Sequence, residues 1–268
     1  MPAPEFTRDE DRKLLVTAVR EAGRIALGYY QTKLKTWMKT GDSIVTEADI
    51  AVNDQLYKDL ALARPDYGWL SEETEDDPAR LTRRRVWVVD PIDGTRAFAK
   101  GKPHFAVSVA LVEDGRPVLA ALFNPATDEF FEAETGKGAT LNGVPIRVGT
   151  RGDIAGARMA AHGPMFKHPA WPEAWPDMEI IERNSVAYRI ALVACDAADA
   201  AIALNTKNDW DLAAAELILL EAGGRFTSHE GKPLTYNREL PRHRSFIAAG
   251  PTLYEPLFAR VGALTLPA

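Results

Sequence analysis

The sequence predicts an α+β fold: two N-terminal helices and an antiparallel meander, followed by a smaller α/β portion. Three observations carry this. A helical apolar period runs near the N-terminus, strand-like segments punctuated by turn signals fill the middle, and helices alternate with strands in the last third.

From Thr7 to Thr32 the chain reads as one long amphipathic helix. Thr7 and Glu10 make a capping box, and Leu14, Ala18, Ala22, Ile25 and Tyr29 mark a face. A second helix starts near Thr46, carries Val52, Leu56 and Leu60, and stops before Pro65. Val86-Trp87-Val88-Val89 is a buried-strand run ending at Asp90-Pro91. Between Phe105 and Glu134 apolar segments alternate with turns at Asp114-Gly115 and Asn124-Pro125, and Asn142-Gly143 marks a tight hairpin. Beyond it, helices at Ser185–Ala194 and Leu212–Glu221, the second stopped by Gly223-Gly224, alternate with strands at Ala200–Leu204 and Phe246–Ala249. The Pro- and Trp-rich stretch His168–Pro176 reads as a surface loop. Two subdomains are expected, residues 1–150 and 151–268.

With 268 residues, 46% hydrophobic and 26% charged, the composition is that of a globular protein able to bury a large core. The single Cys195 excludes an intrachain disulfide framework, reads as a small core residue, and points to a reducing, cytoplasmic setting. No apolar run approaches the roughly 18 residues of a membrane helix, and Met1–Glu5 lacks the pattern of a signal peptide. A net charge of -6 argues against binding a nucleic-acid polymer. An acidic chain that handles an anion needs local positive charge, and metal ions can supply it.

Asp90-Pro91-Ile92-Asp93-Gly94-Thr95 is the most informative segment. A buried strand delivers Asp90 to its carboxyl end, Pro91 turns the chain, and Gly94 permits close backbone approach to a ligand. A helix starting at Gly94 or Thr95 would offer free N–H groups to a phosphate, and carboxylates beside that anion would call for Mg2+. An Asp93 helix cap with Asp90 in a turn explains the pair equally well. Glu72 also sits at a strand end, after Tyr67-Gly68-Trp69-Leu70; Asp49 falls in a first helical turn, where complementing the helix dipole is the default; Asp211 opens a helix and reads in isolation as a cap.

Together, the blocks Asp42–Asp49, Glu72-Glu73, Asp90–Thr95 and Trp210-Asp211-Leu212-Ala213-Ala214, followed by Glu221-Ala222-Gly223-Gly224, resemble the signature of the inositol monophosphatase family in order and spacing. The resemblance implies a five-layer αβαβα sandwich, a homodimer, lithium sensitivity and Mg2+-dependent hydrolysis of a small phosphate monoester. It implies that Glu72, Asp90 and the Ile92 carbonyl hold one Mg2+. Asp90, Asp93 and Asp211 would hold a second, with a weaker third near Glu72. Phosphate would lie on the backbone of Gly94 and Thr95, and Thr95 with Asp49 would orient the attacking water. Such chemistry needs charge neutralisation and in-line positioning rather than a covalent nucleophile.

Ser185 and Tyr188 fall where the family's substrate pocket would be, although a helix start and a core aromatic explain them too. Members preferring inositol phosphates carry a Glu upstream of the residue matching Asp211; here that neighbourhood reads Ala203-Leu204-Asn205-Thr206-Lys207, so Lys207 could meet a second phosphate. Phe105–Val112 is similar to the 3'(2'),5'-bisphosphate nucleotidase branch. Adenosine 3',5'-bisphosphate is therefore the first expected substrate, ahead of inositol 1-phosphate and histidinol phosphate. A non-catalytic regulatory protein on the same fold is the alternative from another class. The five histidines lack metal spacing and read as structural, Gly136-Lys137-Gly138 reads as a hairpin, and Arg83-Arg84-Arg85 as a solvated turn.

Overall fold

A computed structural model describes residues 6–38, 44–169, 171–262, 264 and 266; Asp42 lies outside them. Helix α1 (Arg8–Tyr29) leads through β1 (Thr36–Met38) and β2 (Ile44–Thr46) into α2 (Glu47–Leu56). Then follow β3 (Gly68–Ser71), β4 (Arg85–Asp93), the single turn α3 (Thr95–Phe98), β5 (Ala106–Glu113), β6 (Arg116–Asn124), β7 (Glu129–Glu134), β8 (Gly138–Leu141) and β9 (Val144–Pro145). The remainder comprises β10 (Arg158–Ala160), β11 (Glu179–Ile180), α4 (Val186–Ala194), β12 (Ala200–Ala203), β13 (Lys207–Asn208), α5 (Asp209–Glu221), β14 (Arg225–Thr227), β15 (Arg242–His243), β16 (Phe246–Ala249) and α6 (Pro251–Val261).

Strands β3 to β9 form a seven-stranded sheet in sequence order, β3 and β4 parallel and the other neighbours antiparallel. A mixed sheet of order β11-β10-β12-β16-β14 lies behind it. The two-residue alternation of β4 explains the layering. Trp87 and Val89 join Leu15, Val19, Val52 and Leu56 of α1 and α2, while Val86 and Val88 join Ile190, Leu212 and Ile218 of α4 and α5. The second apolar cluster continues onto Ala201, Phe246 and Ala248 of the mixed sheet, whose far face meets Leu253, Tyr254 and Leu257 of α6. The order is helices, sheet, helices, sheet, helix: the αβαβα sandwich.

The local signals translate directly. Thr7 caps α1 with a complete capping box, and the buried stripe centres on Leu15, Val19, Ala22 and Ala26, one step round from the face read in the sequence. Beyond Leu56 the second helix widens into one π turn, Tyr57–Ala61, which still buries Leu60. Asp114-Gly115 and Asn142-Gly143 turn their hairpins with positive φ at both residues, as tight hairpins require. Trp171 and Trp175 of the Pro- and Trp-rich stretch are not merely surface: they stack edge to face, ring centroids 4.9 Å apart, and pack on the α6 side of the mixed sheet. Arg85 departs from the solvated reading of the arginine run. Its guanidinium donates to Glu113 at 2.7 Å and to the Tyr67 hydroxyl at 2.6 Å, anchoring the strand that carries the acidic motif.

Candidate active site

Asp90 and Asp93 both leave β4. Residues three apart on a regular strand point to opposite faces. Here the β4–β5 register shifts between Asp90, paired with Ser108, and Asp93, paired with Ala106. That bulge inserts one extra residue and turns both carboxylates toward one cavity. Asp211, in the first turn of α5, reaches the same place: one oxygen from each of Asp90, Asp93 and Asp211 lies within 4.8 Å of the others.

The three carboxylates are held very differently. Both oxygens of Asp90 are buried and have no hydrogen-bond partner among the described residues. Burial, then repulsion by Glu72, Asp93 and Asp211, raises its pKa well above the usual carboxylate range. One Asp93 oxygen accepts from the Ser185 hydroxyl and from the Ala187 N–H, each at 2.6 Å, so Asp93 is pinned to the first turn of α4. Burial pushes Asp93 to about 6 against those bonds. Asp211 caps its own helix by accepting from the Asn208 N–H at 2.7 Å; burial, then Asp93, pushes it to about 8. The capping reading holds for Asp211, at once helix cap and cluster member; Asp93 instead accepts from the start of α4, and α3 begins at Gly94 with no side-chain cap.

Glu72 sits just past β3, its backbone N–H bound to the Val89 carbonyl at 3.2 Å, and lines the same cavity outside the tight trio. Asp49 closes a buried capping box: one oxygen accepts from the Thr46 N–H and hydroxyl, at 2.8 and 2.6 Å. Its other oxygen faces the Thr95 hydroxyl at 3.0 Å. That hydroxyl is also 3.0 Å from the Ile92 carbonyl, so one proton serves two acceptors. Burial raises Asp49 above its ordinary value.

Gly94 is glycine for a reason the sequence reading missed. Its φ is +98°, and a Cβ there would lie 2.6 Å from the His104 carbonyl oxygen. Close packing against the 104–105 turn, not only ligand approach, demands the missing side chain. Ser185 also departs from the expected substrate contact. Fully buried, it donates to Asp93 and accepts from the Tyr188 N–H at 3.0 Å, so it fixes a carboxylate. Tyr188 is buried beneath, its hydroxyl on Glu129.

The cavity measures about 360 Å³. Besides the acidic groups, Gly94 and Thr95, it is lined by Lys207, Arg96 and Asn184. Lys207 is held by Asn205 Oδ1 at 2.9 Å and the Thr206 carbonyl at 3.2 Å, and burial lowers its pKa. Arg96 and Asn184 escaped the sequence reading, although each is adjacent in sequence to a singled-out residue, Thr95 and Ser185.

The donor set suits a hard divalent cation: all oxygen, mostly carboxylate, with the two orphaned oxygens of Asp90 at its centre. A carboxylate so buried and so surrounded by like charge ionises readily only beside a cation.

Comparison with known proteins agrees. A profile of the inositol monophosphatase family matches residues 7–263. The chain is 36% identical over 229 residues to a Nus factor SuhB of Xylella fastidiosa, covering 81% of this chain and 82% of that protein. It is 36% identical over 233 residues to an inositol-1-monophosphatase of Rhizobium meliloti, covering 82% and 87%. The solved Thermotoga maritima IMPase superposes with a TM-score of 0.80 at 28% identity, covering 93% of this chain and 95% of that one. The carboxylate cluster therefore sits in a phosphoric monoester hydrolase of a metal-dependent kind, and the chain belongs to the inositol monophosphatase family.

Proposed function

We propose that this chain hydrolyses a small phosphate monoester with Mg2+, and that Lys207 favours substrates bearing a second anionic group. The observation that carries the first half is the pair of buried Asp90 oxygens without partners, set between Asp93 and Asp211. Cations bound there would neutralise the phosphate and make a water more acidic. Glu72, Asp90, the Ile92 carbonyl, Asp93 and Asp211 would hold them.

The chain's own groups supply the rest. Ser185 and the Ala187 N–H keep Asp93 aimed into the cavity. An ionised Asp49 accepts the hydrogen bond that the Thr95 hydroxyl donates, leaving the Thr95 oxygen lone pairs free to accept a hydrogen bond from the attacking water. The backbone of Gly94 and Thr95 cradles the phosphate. Lys207 and Arg96, with Asn184, line the same cavity. These two cations favour adenosine 3',5'-bisphosphate as first substrate, since a second phosphate would find Lys207.

Inositol 1-phosphate is the second reading, favoured by the 36% identity to an inositol-1-monophosphatase; histidinol phosphate is a third. Released phosphate, measured for all three across a Mg2+ titration, separates them. Equal turnover of the three would remove the bisphosphate preference. No turnover of any at any Mg2+ concentration would favour a regulatory role, in keeping with the relative named as a Nus factor. Lithium inhibition, a homodimer and a cytoplasmic location belong to the same proposal. They are checked by a LiCl titration, by sedimentation and by cell fractionation. Among the described residues no helix is long and apolar enough to cross a membrane.

A further inference from the structure

A second cavity, about 470 Å³, lies away from the carboxylates and is built from the segment 228–245. Four cations line it, Lys232, Arg238, Arg242 and Arg244, against a single carboxylate, Glu230, which Lys232 already engages at 2.6 Å. Arg238 donates to the Arg242 carbonyl at 2.5 Å, and neither arginine has an ion-pair partner among the described residues. Both are exposed, and the adjoining Leu240 shows 73% of its surface, giving the cavity an apolar lip beside its cations. On a chain of net charge -6, two guanidinium groups without ion pairs among the described residues, Arg238 and Arg242, are out of keeping with a merely solvated face. Size and lining fit a ligand with several phosphate charges and a small apolar body.

The wall of this cavity is tied to the catalytic helix. In the ribbon of β13 and β15, Asn208 pairs with Arg242 and Lys207 with His243. Asp209, first residue of α5, accepts from the Asn237 N–H at 2.7 Å, meets His243 Nε2 at 2.8 Å, and donates its N–H to the Pro241 carbonyl at 3.0 Å. Asp211 follows two residues further on and bonds back to Asn208. The segment that lines the cationic cavity is thus hydrogen-bonded to the short stretch that carries Asp211.

We propose that this cavity binds a phosphorylated molecule of nucleoside-diphosphate size, its phosphates on Arg238 and Arg242, and that occupancy steadies Asp211 through Asp209. The site is separate from the catalytic cavity and independent of which monoester is hydrolysed there.

The test uses the full chain in EDTA with ADP as probe. Calorimetry is expected to show ADP binding to the wild type, at least tenfold weaker binding to Arg238→Ala/Arg242→Ala, and unchanged binding to Lys207→Ala on the catalytic side. Hydrogen exchange in the peptide spanning residues 205–215 is expected to slow on ADP addition in the wild type and not in the double variant. No wild-type binding up to roughly 1 mM ADP overturns the proposal, since that affinity is barely above non-specific attraction. So does binding that survives the double variant or disappears with Lys207→Ala. Binding without slowed exchange at 205–215 overturns the link to Asp211. Melting curves establish that the variants are folded, and Lys232→Ala provides the same reading should the double variant not fold.

Discussion

Removing the Asp211 charge should stabilise the metal-free protein while disabling its response to Mg2+. Burial and Asp93 lift the Asp211 carboxyl from 3.8 to about 8. A carboxyl whose folded pKa lies above its unfolded one binds more protons when folded, so its effect on stability worsens as pH rises from about 4 toward 8. At pH 7 that rise corresponds to about 4 kcal/mol. Because Asp90 and Asp93 share the protons, that figure is an upper limit for one residue. Asp211→Asn keeps an oxygen to accept from the Asn208 N–H, so the cap survives. The expected gain in EDTA at pH 7 is about 2 to 4 kcal/mol, a rise in Tm of roughly 5 °C or more. The gain should shrink as pH falls and vanish below about pH 3, where the wild-type carboxyl is protonated in both states. With saturating Mg2+ the wild type should rise in Tm and the variant much less, because binding to the folded state alone stabilises it. Thermal scans at several pH values, with EDTA and with MgCl2, read all of this. A metal-free Asp211→Asn that melts below the wild type at pH 7 would refute the reasoning.

Other outcomes follow from the same geometry. Asp93→Asn should retain the fold and lower kcat by about 100-fold or more, measured by phosphate release, because the proposed metal site loses a charge. Thr95→Ala should lower kcat by about 100-fold with KM little changed, and Thr95→Ser should restore most of it, since only the hydroxyl toward Asp49 is needed. Gly94→Ala should cost about 1 to 3 kcal/mol in chemical denaturation, through its positive φ and the contact with the His104 carbonyl.

What could be read from sequence was what local chemistry writes locally. The Thr7 capping box, the helix start near Thr46, the Asp-Gly and Asn-Gly turns and the burial of Val86–Val89 each depend on neighbours a few residues away. The acidic blocks were legible as candidates because four of them recur in a family order. Their convergence was not, since it depends on a bulge between Asp90 and Asp93 that no residue type announces. Ser185 stayed open between substrate contact and helix start for a related reason. A serine at a helix start looks the same in sequence whether its hydroxyl faces solvent or a buried carboxylate. Arg85 was taken for a surface charge because Glu113 and Tyr67, which neutralise and cover it, lie far along the chain. Arg96 and Asn184 reach the cavity through tertiary placement alone.

The most direct measurement is a crystal soaked in MnCl2 and inspected for anomalous density. Peaks are expected within about 2.0 to 2.5 Å of carboxylate oxygens of Asp90, Asp93 and Asp211. Crystals of catalytically active protein with no bound cation touching Asp90 would contradict the assignment.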